Sequence, residues 1–176
     1  MKFAQCLGLA AAFATSVSAL PHAIRSTGGN GGVTIVNNMA KTVYLWSVAS
    51  TANDSMVTLN QGQTYEEDWR LASNGGGISI KMSTTPEQRD VLQYEYTLAA
   101  PTIFWDLSCI DMGTGSEFTE AGFAVTSDND NCVSATCKPG DVACAAAYLL
   151  PTDNAATHGC EAATRMTLNI GPSPLE

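Results

Sequence analysis

The feature that most limits what this chain can fold into is its punctuation. From Val33 onward, short runs rich in β-branched and aromatic residues alternate with clusters of turn residues. Runs of this kind lie at Val33–Asn37, Thr42–Val48, Thr64–Leu71, Gly77–Met82, Leu92–Leu98, Ile103–Ser108, Gly122–Ser127 and Arg165–Ile170. Between them stand Asn37-Asn38, Asn74-Gly75-Gly76-Gly77 and Thr85-Pro86, residues that favour turns. The side-chain period is two: Ile78, Ile80 and Met82 share one face, Ser79 and Lys81 the other. In Thr42–Val48 both sets are largely apolar, so that strand is expected to be buried on both faces. A helix is expected only over Asp141–Leu150, where Ala content and an acidic first turn favour it and Pro151 would end it. Evenly spaced strands with at most one short helix predict an all-β sandwich of antiparallel sheets in one domain.

The N-terminus has to be set apart from that domain. Lys2 precedes an apolar, Ala-rich run, and Val17-Ser18-Ala19 has the small-residue form of a signal-peptidase site. The run is short for a membrane span. Residues 1–19 are therefore expected to be a signal peptide, 20–32 a flexible Gly-rich leader, 33–171 the domain and 172–176 a tail. Cleavage after Ala19 leaves 157 residues (176 less 19), a length that suits one domain with a real core. Loss of Lys2 leaves seven basic residues against seventeen acids, a net charge of −10. Nucleic acid and anionic membranes are poor partners for so acidic a surface. No cofactor is implied, and a secreted, extracellular monomer is expected.

Cysteine usage fits an oxidising compartment. Cys6 leaves with the signal peptide, and Cys109, Cys132, Cys137, Cys144 and Cys160 remain. Two disulfides and one leftover thiol can be arranged in fifteen ways. Cys137 and Cys144 flank the turn-rich Lys-Pro-Gly-Asp segment, which favours a local bridge; Cys132–Cys160 then closes the longer loop and Cys109 is left over. A zinc site in the cluster is disfavoured because only His158 lies near it. Asp128-Asn129-Asp130-Asn131 lacks the Gly and the distal Glu of a calcium loop, so no metal is assigned. Asn53-Asp54-Ser55 is a glycosylation sequon in a polar setting. Glu66-Glu67-Asp68 reads as a solvated strand face, His22 and His158 as solvated, and Trp46, Trp69 and Trp105 as core.

The informative stretch is 92-LQYEYTLAAPTIFWDLSCID-111. Pairing Leu98 with Ile103 makes the numbers of facing residues sum to 201. Tyr96 then meets Trp105 and Tyr94 meets Leu107 on one apolar face. On the other face Thr97 meets Phe104, and Glu95 meets Asp106. A slip by one residue would set apolar groups against polar ones. Like charges directly opposed cost stability, so the pair either faces water or lines a cleft that holds a ligand, a cation or a shared proton. Asp111 is placed to join it from the following loop. Phe104, beside the pair, has the chemistry to stack on a sugar ring, although a lone aromatic is more often core.

Several stretches together, VTIVNNMAKTVYLWSVAS, LNQGQTYEEDWR, GISIKMST and YEYTLAAPTIFWDLSCIDMG, are similar to the small thaumatin-like proteins. The segment ACAAAYLLPTDNAATHGC resembles the fungal antigenic, yeast-phase-specific branch of that family. The resemblance covers the whole domain in order. It implies a thaumatin-like β-sandwich of two antiparallel sheets with disulfide-linked loops and an acidic cleft. In larger plant members that cleft is associated with β-1,3-glucan binding and sometimes with weak endo-glucanase activity. Glu95 matches the Glu of the family's E-[FY]-x-L strand and Asp106 the Asp of its D-[VIL]-S motif, with Asp111 near the next loop position. The departures are few cysteines, Tyr94 in place of an Arg before Glu95, and no large loop domain to wall the cleft. An open groove excludes water poorly, which weighs against catalysis. The expectation is a secreted protein associated with cell-wall or host polysaccharide, β-glucan first, without turnover. A weak endo-β-1,3-glucanase using Glu95 and Asp106, and an antigenic or effector-like protein with no glycan ligand, are the alternatives.

Overall fold

The computed structural model describes residues 31–49, 52–53 and 55–172, with the side chains of 52 and 53 excepted. The expected signal peptide, most of the leader with His22, the last four residues of the tail, and the Asn53 side chain with Asp54 of the sequon lie outside the described residues. No helix among the described residues is long and apolar enough to cross a membrane.

Among the described residues, twelve strands form two sheets. They are β1 (Gly32–Asn37), β2 (Val43–Ala49), β3 (Ala52–Asn53), β4 (Val57–Leu59), β5 (Thr64–Asp68), β6 (Ile78–Ser83), β7 (Val91–Ala99), β8 (Thr102–Asp111), β9 (Phe123–Ser127), β10 (Ala135–Cys137), β11 (His158–Glu161) and β12 (Arg165–Ile170). One sheet has five strands in the order β10-β9-β12-β1-β5; the other has seven, in the order β11-β8-β7-β6-β2-β3, with β4 also on β2. The pairs are antiparallel except β1 with β12, where the two ends of the domain run side by side with Ile35 level with Leu168.

The strands form where period-two patterning supplies one apolar face each, and those faces meet between the sheets. Ile78, Ile80 and Met82 from β6 and Tyr94, Tyr96, Trp105 and Leu107 from the β7–β8 hairpin are all at most 2% exposed. Opposite them stand Val33, Ile35, Val125, Met166, Leu168 and Ile170. Each such side chain contributes roughly 1.5–3 kcal/mol on burial. Aromatic stacking organises the middle of this layer, with Trp69 and Tyr94 at 6.4 Å between ring centroids and Tyr94 and Trp105 at 6.0 Å. In β2 the core face is Val43, Leu45, Ser47 and Ala49, and Trp46 is buried on the opposite face while Tyr44 and Val48 are only half-buried.

Three readings change in the fold. Residues 141–150 are not helical, and the single α-helix among the described residues, α1 (Glu117–Ala121), lies elsewhere. Cys144 is bound to Cys137, the Tyr148 amide donates to the Leu107 carbonyl, and the Cys109 amide donates to the Tyr148 carbonyl. Backbone groups that a helix would pair internally are thus used to dock this segment on β8. Helix α1 starts where Ser116 Oγ accepts from the Phe118 amide, a cap too local for periodicity to reveal. Glu67 is no solvated residue: it accepts from the Tyr65 hydroxyl at 2.6 Å and from the Tyr96 hydroxyl, lies 3.4 Å from Arg70 Nε, and its side chain is 9% exposed. Its neighbour Asp68 pairs with Arg165 at 3.0 Å, so only Glu66 of the three stands open. At the start of the domain, Gly31 is buried and Gly32 already belongs to β1, so packing begins two residues before Val33.

Candidate functional site

The β7–β8 hairpin has the register read from its pattern: Tyr96 faces Trp105, Tyr94 faces Leu107, Thr97 faces Phe104 and Glu95 faces Asp106. The strands close up to Ala99 and Thr102, so the turn is Ala100–Pro101, joined by a cis peptide bond. Because the apolar residues of this hairpin are committed to the core, Glu95 and Asp106 must project from the outer face of the seven-stranded sheet. There the register continues sideways: Ser79 on β6 is level with Glu95, and β11 pairs with β8 so that Gly159 is level with Phe104. Thr157, one residue before β11, is carried to the far side of Asp106. The two acids stand in the middle of a row of hydroxyl side chains.

This row floors a groove of about 480 Å³ lined by Ser79, Glu95, Thr97, Phe104, Asp106 and Thr157, with Val48, Ala49, Gly77 and Ile78 at one end. Both acids are half-buried, and Phe104 is 46% exposed at the mouth. Partial burial and the facing Glu95 charge push the Asp106 carboxyl up to about 7. Glu95 is also raised, first by burial and then by Asp111, against the opposing pull of a Ser79 hydrogen bond and the Lys81 ammonium. Near neutral pH the Asp106 carboxyl is therefore poised between its protonated and ionised forms. Asp106 Oδ1 is buried with no hydrogen-bond partner among the described residues. An acceptor left in that condition is costly unless something fills it.

Asp111 does not line the groove. A β-bulge between Val91 and Gln93 shifts the pairing so that Val91 faces Asp111, and the Asp111 carboxylate accepts from Gln93 Nε2 at 3.2 Å. Gln93 Oε1 in turn accepts from Ser79 Oγ at 3.1 Å. The third acid thus acts on Glu95 through charge, and is linked through Gln93 to the Ser79 hydroxyl, from outside the cavity.

Both expected disulfides are present, Cys132–Cys160 and Cys137–Cys144, and Cys109 is free. Burial pushes the Cys109 thiol up to about 11, which keeps it protonated and unreactive at neutral pH. No three His, Cys, Asp or Glu side chains among the described residues converge as a metal site. In the Asp128–Asn131 loop Asp128 Oδ1 accepts from the Arg165 amide and Asn129 Oδ1 from the Asn131 amide, so these oxygens serve the turn. His158 is no solvated residue: its ring packs on Trp105 at 4.7 Å, burial lowers its basicity, and its Nε2 is enclosed.

The sequence puts Glu95, Asp106, Thr97 and Phe104 on one face of the hairpin, but does not show that Ser79 and Thr157 lie beside them or that β11 exists. The sequence His158-Gly159-Cys160-Glu161 has no alternation, and the one available signal was its cysteine, whose bridge fixes the strand end against the loop after β9.

Residues 19–171 match the family model described as Bys1, Blastomyces yeast-phase-specific protein. The secreted thaumatin-like protein calA of Emericella nidulans is 46% identical over 171 residues, 97% of this chain and 98% of that protein. The antigenic thaumatin-like protein of Arthroderma benhamiae is 41% identical over 154 residues, 88% of this chain and 77% of its own. Among solved structures, the protein elicitor MoHrip2 from Magnaporthe oryzae superposes with a TM-score of 0.67 at 22% identity, covering 81% of this chain and 99% of that one. The thaumatin-like xylanase inhibitor TLXI gives 0.53 at 12% identity, over 80% of this chain and 99% of its own. These two are likenesses of fold.

Proposed function

Because the chain belongs to the Bys1 family and is a secreted thaumatin-like protein of the fungal kind, we propose that the groove over β6, β7, β8 and β11 holds a neutral cell-wall or host polysaccharide, β-glucan first, without cleaving it. The observation that carries this reading is Asp106: a half-buried carboxyl facing a second one, on the floor of an open groove among hydroxyl side chains. A sugar hydroxyl could donate to the part of the carboxyl that faces the groove, and the hydroxyls of Ser79, Thr97 and Thr157 offer both donors and acceptors around it. Charge favours the same ligand class, since a protein with net charge −9 repels acidic polysaccharides and has no such quarrel with neutral ones.

The hydrolytic alternative has one point in its favour, a carboxyl pushed to about 7 beside a second carboxylate. Against it stands the placement. Catalytic carboxylates flank the scissile bond from two sides of the sugar. Glu95 and Asp106 rise from neighbouring strands of the same floor, side by side, so both would approach a bound ring from one side.

The test is retention on insoluble β-1,3-glucan with a reducing-sugar assay on the same samples. Wild type is expected to be retained with no sugar release, and Glu95→Gln/Asp106→Asn to lose retention. Sugar release that disappears in the double variant would establish the glucanase reading instead. Absence of retention on any neutral polysaccharide would sink the proposal and leave the acid pair a solvated face.

A further inference from the structure

Strand β11 lies at the edge of its sheet and pairs with β8 alone. Its two halves are held differently. The second half is tied by Cys132–Cys160, and just beyond it the Ala162 amide donates to the Pro101 carbonyl at 2.8 Å. The first half has no such tie. Besides its ladder to β8, it is held where the His158 ring packs on Trp105, 4.7 Å between centroids, and where the Thr157 and Tyr148 hydroxyls meet. Two ring nitrogens are enclosed there without a partner among the described residues, His158 Nε2 and Trp105 Nε1. An imidazolium carries a proton on both nitrogens, so protonation would shut in an N–H at Nε2, and Trp105 Nε1 is itself a donor that cannot accept it. The indole face attracts a cation, but the penalty for a charged donor enclosed without an acceptor is larger.

We propose that His158 is a proton-sensitive latch on β11: the neutral ring holds the first half of the strand against Trp105, and the imidazolium releases that half while the disulfide retains the second. The 3-10 turn Asn154–Ala156 leads into the released half and moves with it. Thr157 lines the groove, so the groove loses part of one wall at acid pH whatever it holds. No charged group nearby is placed to pair with the imidazolium. Asp106, next along β8, leaves on the opposite face. Asp153 accepts from the Leu149 and Leu150 amides, and Glu161 is exposed at the far end of the strand. Tyr94, stacked behind Trp105, stays neutral. Burial is the cause of the lowered basicity of the His158 ring. A released ring binds protons more tightly than a docked one, so the latch is complete above the ordinary imidazole pKa of about 6.5 and weakens as pH falls below it. Asp106, pushed up to about 7, titrates in the same range with the opposite sign, since protonation favours its folded state.

Two readouts on the intact protein test this. One is the pH titration of the His158 ring by NMR. The other is hydrogen–deuterium exchange at the amides of residues 157–159 between about pH 7.5 and about pH 5, corrected for the pH dependence of intrinsic exchange. The His158 pKa is expected below 6.5. Exchange at 157–159 is expected to speed up several-fold toward pH 5, to at most about thirtyfold, with Cys160 and β12 unchanged. His158→Phe keeps an aromatic ring on Trp105 without a titrating group and should abolish the acceleration; His158→Gln repeats the test with a smaller side chain. Asp106→Asn should leave the acceleration in place. A His158 pKa at or above 6.5, or exchange at 157–159 that does not respond to pH, overturns the latch. So does an acceleration that survives both His158 variants or vanishes in Asp106→Asn.

Discussion

Asp106 combines two conditions that rarely persist together, a facing carboxylate and a buried oxygen without a donor. Both raise its affinity for a proton, burial more than charge, and so tie stability to pH. A carboxyl that is raised on folding binds more protons folded than unfolded, so its favourable contribution is complete below the ordinary carboxylate range. That contribution is lost as pH rises from about 4 through about 7. The residue is only half-buried, so solvent screening leaves about 2 kcal/mol of effect, less than half of the unscreened linkage. Asp106→Asn is therefore expected to gain stability relative to wild type between pH 4 and pH 8, read as a rise in the difference of urea midpoints. A difference that does not change with pH would show the carboxyl to be freely solvated. Glu95→Gln should lower the Asp106 pKa, measured by carbon-13 titration of the side-chain carboxyl. Glu67 makes the contrasting case: an acid in a strand that reads as solvated is instead held by Tyr65, Tyr96 and Arg70. Its partners are spread along the chain as far as Tyr96, so no local pattern announces them.

At the scale of elements, the sheet edges and strand ends rest on close backbone approaches. Gly31 and Gly32 lead into β1 between the β5 side and the turn before β12. A Cβ at Gly31 would fall 2.2 Å from the Ala162 carbonyl oxygen, 2.4 Å from that of Thr164 and 2.4 Å from Trp69 Nε1. The first two are backbone atoms, and the Trp69 indole is itself fixed by donating to the Thr164 carbonyl at 3.1 Å. Gly31→Ala is thus expected to cost about 3 kcal/mol, at the upper end of overpacking, a fall of roughly 10 °C in melting temperature. Gly62→Ala provides the control for steric crowding, since that position has open space around it and only its positive φ to resist substitution. Equal losses at both sites would place the cost at Gly31 in backbone conformation instead of crowding. The misplaced helix belongs to this scale too. Ala-rich sequence over 141–150 has the local preference, but a disulfide and a docking contact on β8 outweigh the few tenths of a kcal/mol per residue that such preference supplies.

Across the whole molecule, the two disulfides divide their work by loop length. Cys132–Cys160 spans 28 residues and Cys137–Cys144 spans 7. Constraint of the unfolded chain predicts about 3.6 kcal/mol for the first and about 2.5 kcal/mol for the second. Cys132→Ser/Cys160→Ser should therefore unfold at lower denaturant than Cys137→Ser/Cys144→Ser. It should also lose glucan retention, because the freed strand β11 carries Gly159 and follows directly on Thr157. If the pair lacking the long bridge still binds as wild type does, β11 is no part of the site. The sequence by itself determined eight of the strands, their buried faces, the hairpin register and with it the facing of Glu95 and Asp106, and it favoured the pairing of cysteines that the structure contains. The reason is that alternation is a property of the extended backbone, local and of period two, and a one-residue slip would bury the charges. Only the tertiary structure decided which distant side chains come to lie beside the acid pair, that Thr157 is brought there ahead of β11, that Phe104 lies against Gly159, and that Asp111 is not among the lining residues. Burial and proton affinity depend on which distant segments come to lie beside a side chain. His158-Gly159-Cys160-Glu161 becomes a strand because β8 and a disulfide hold it in place, not through any preference written in its four residues.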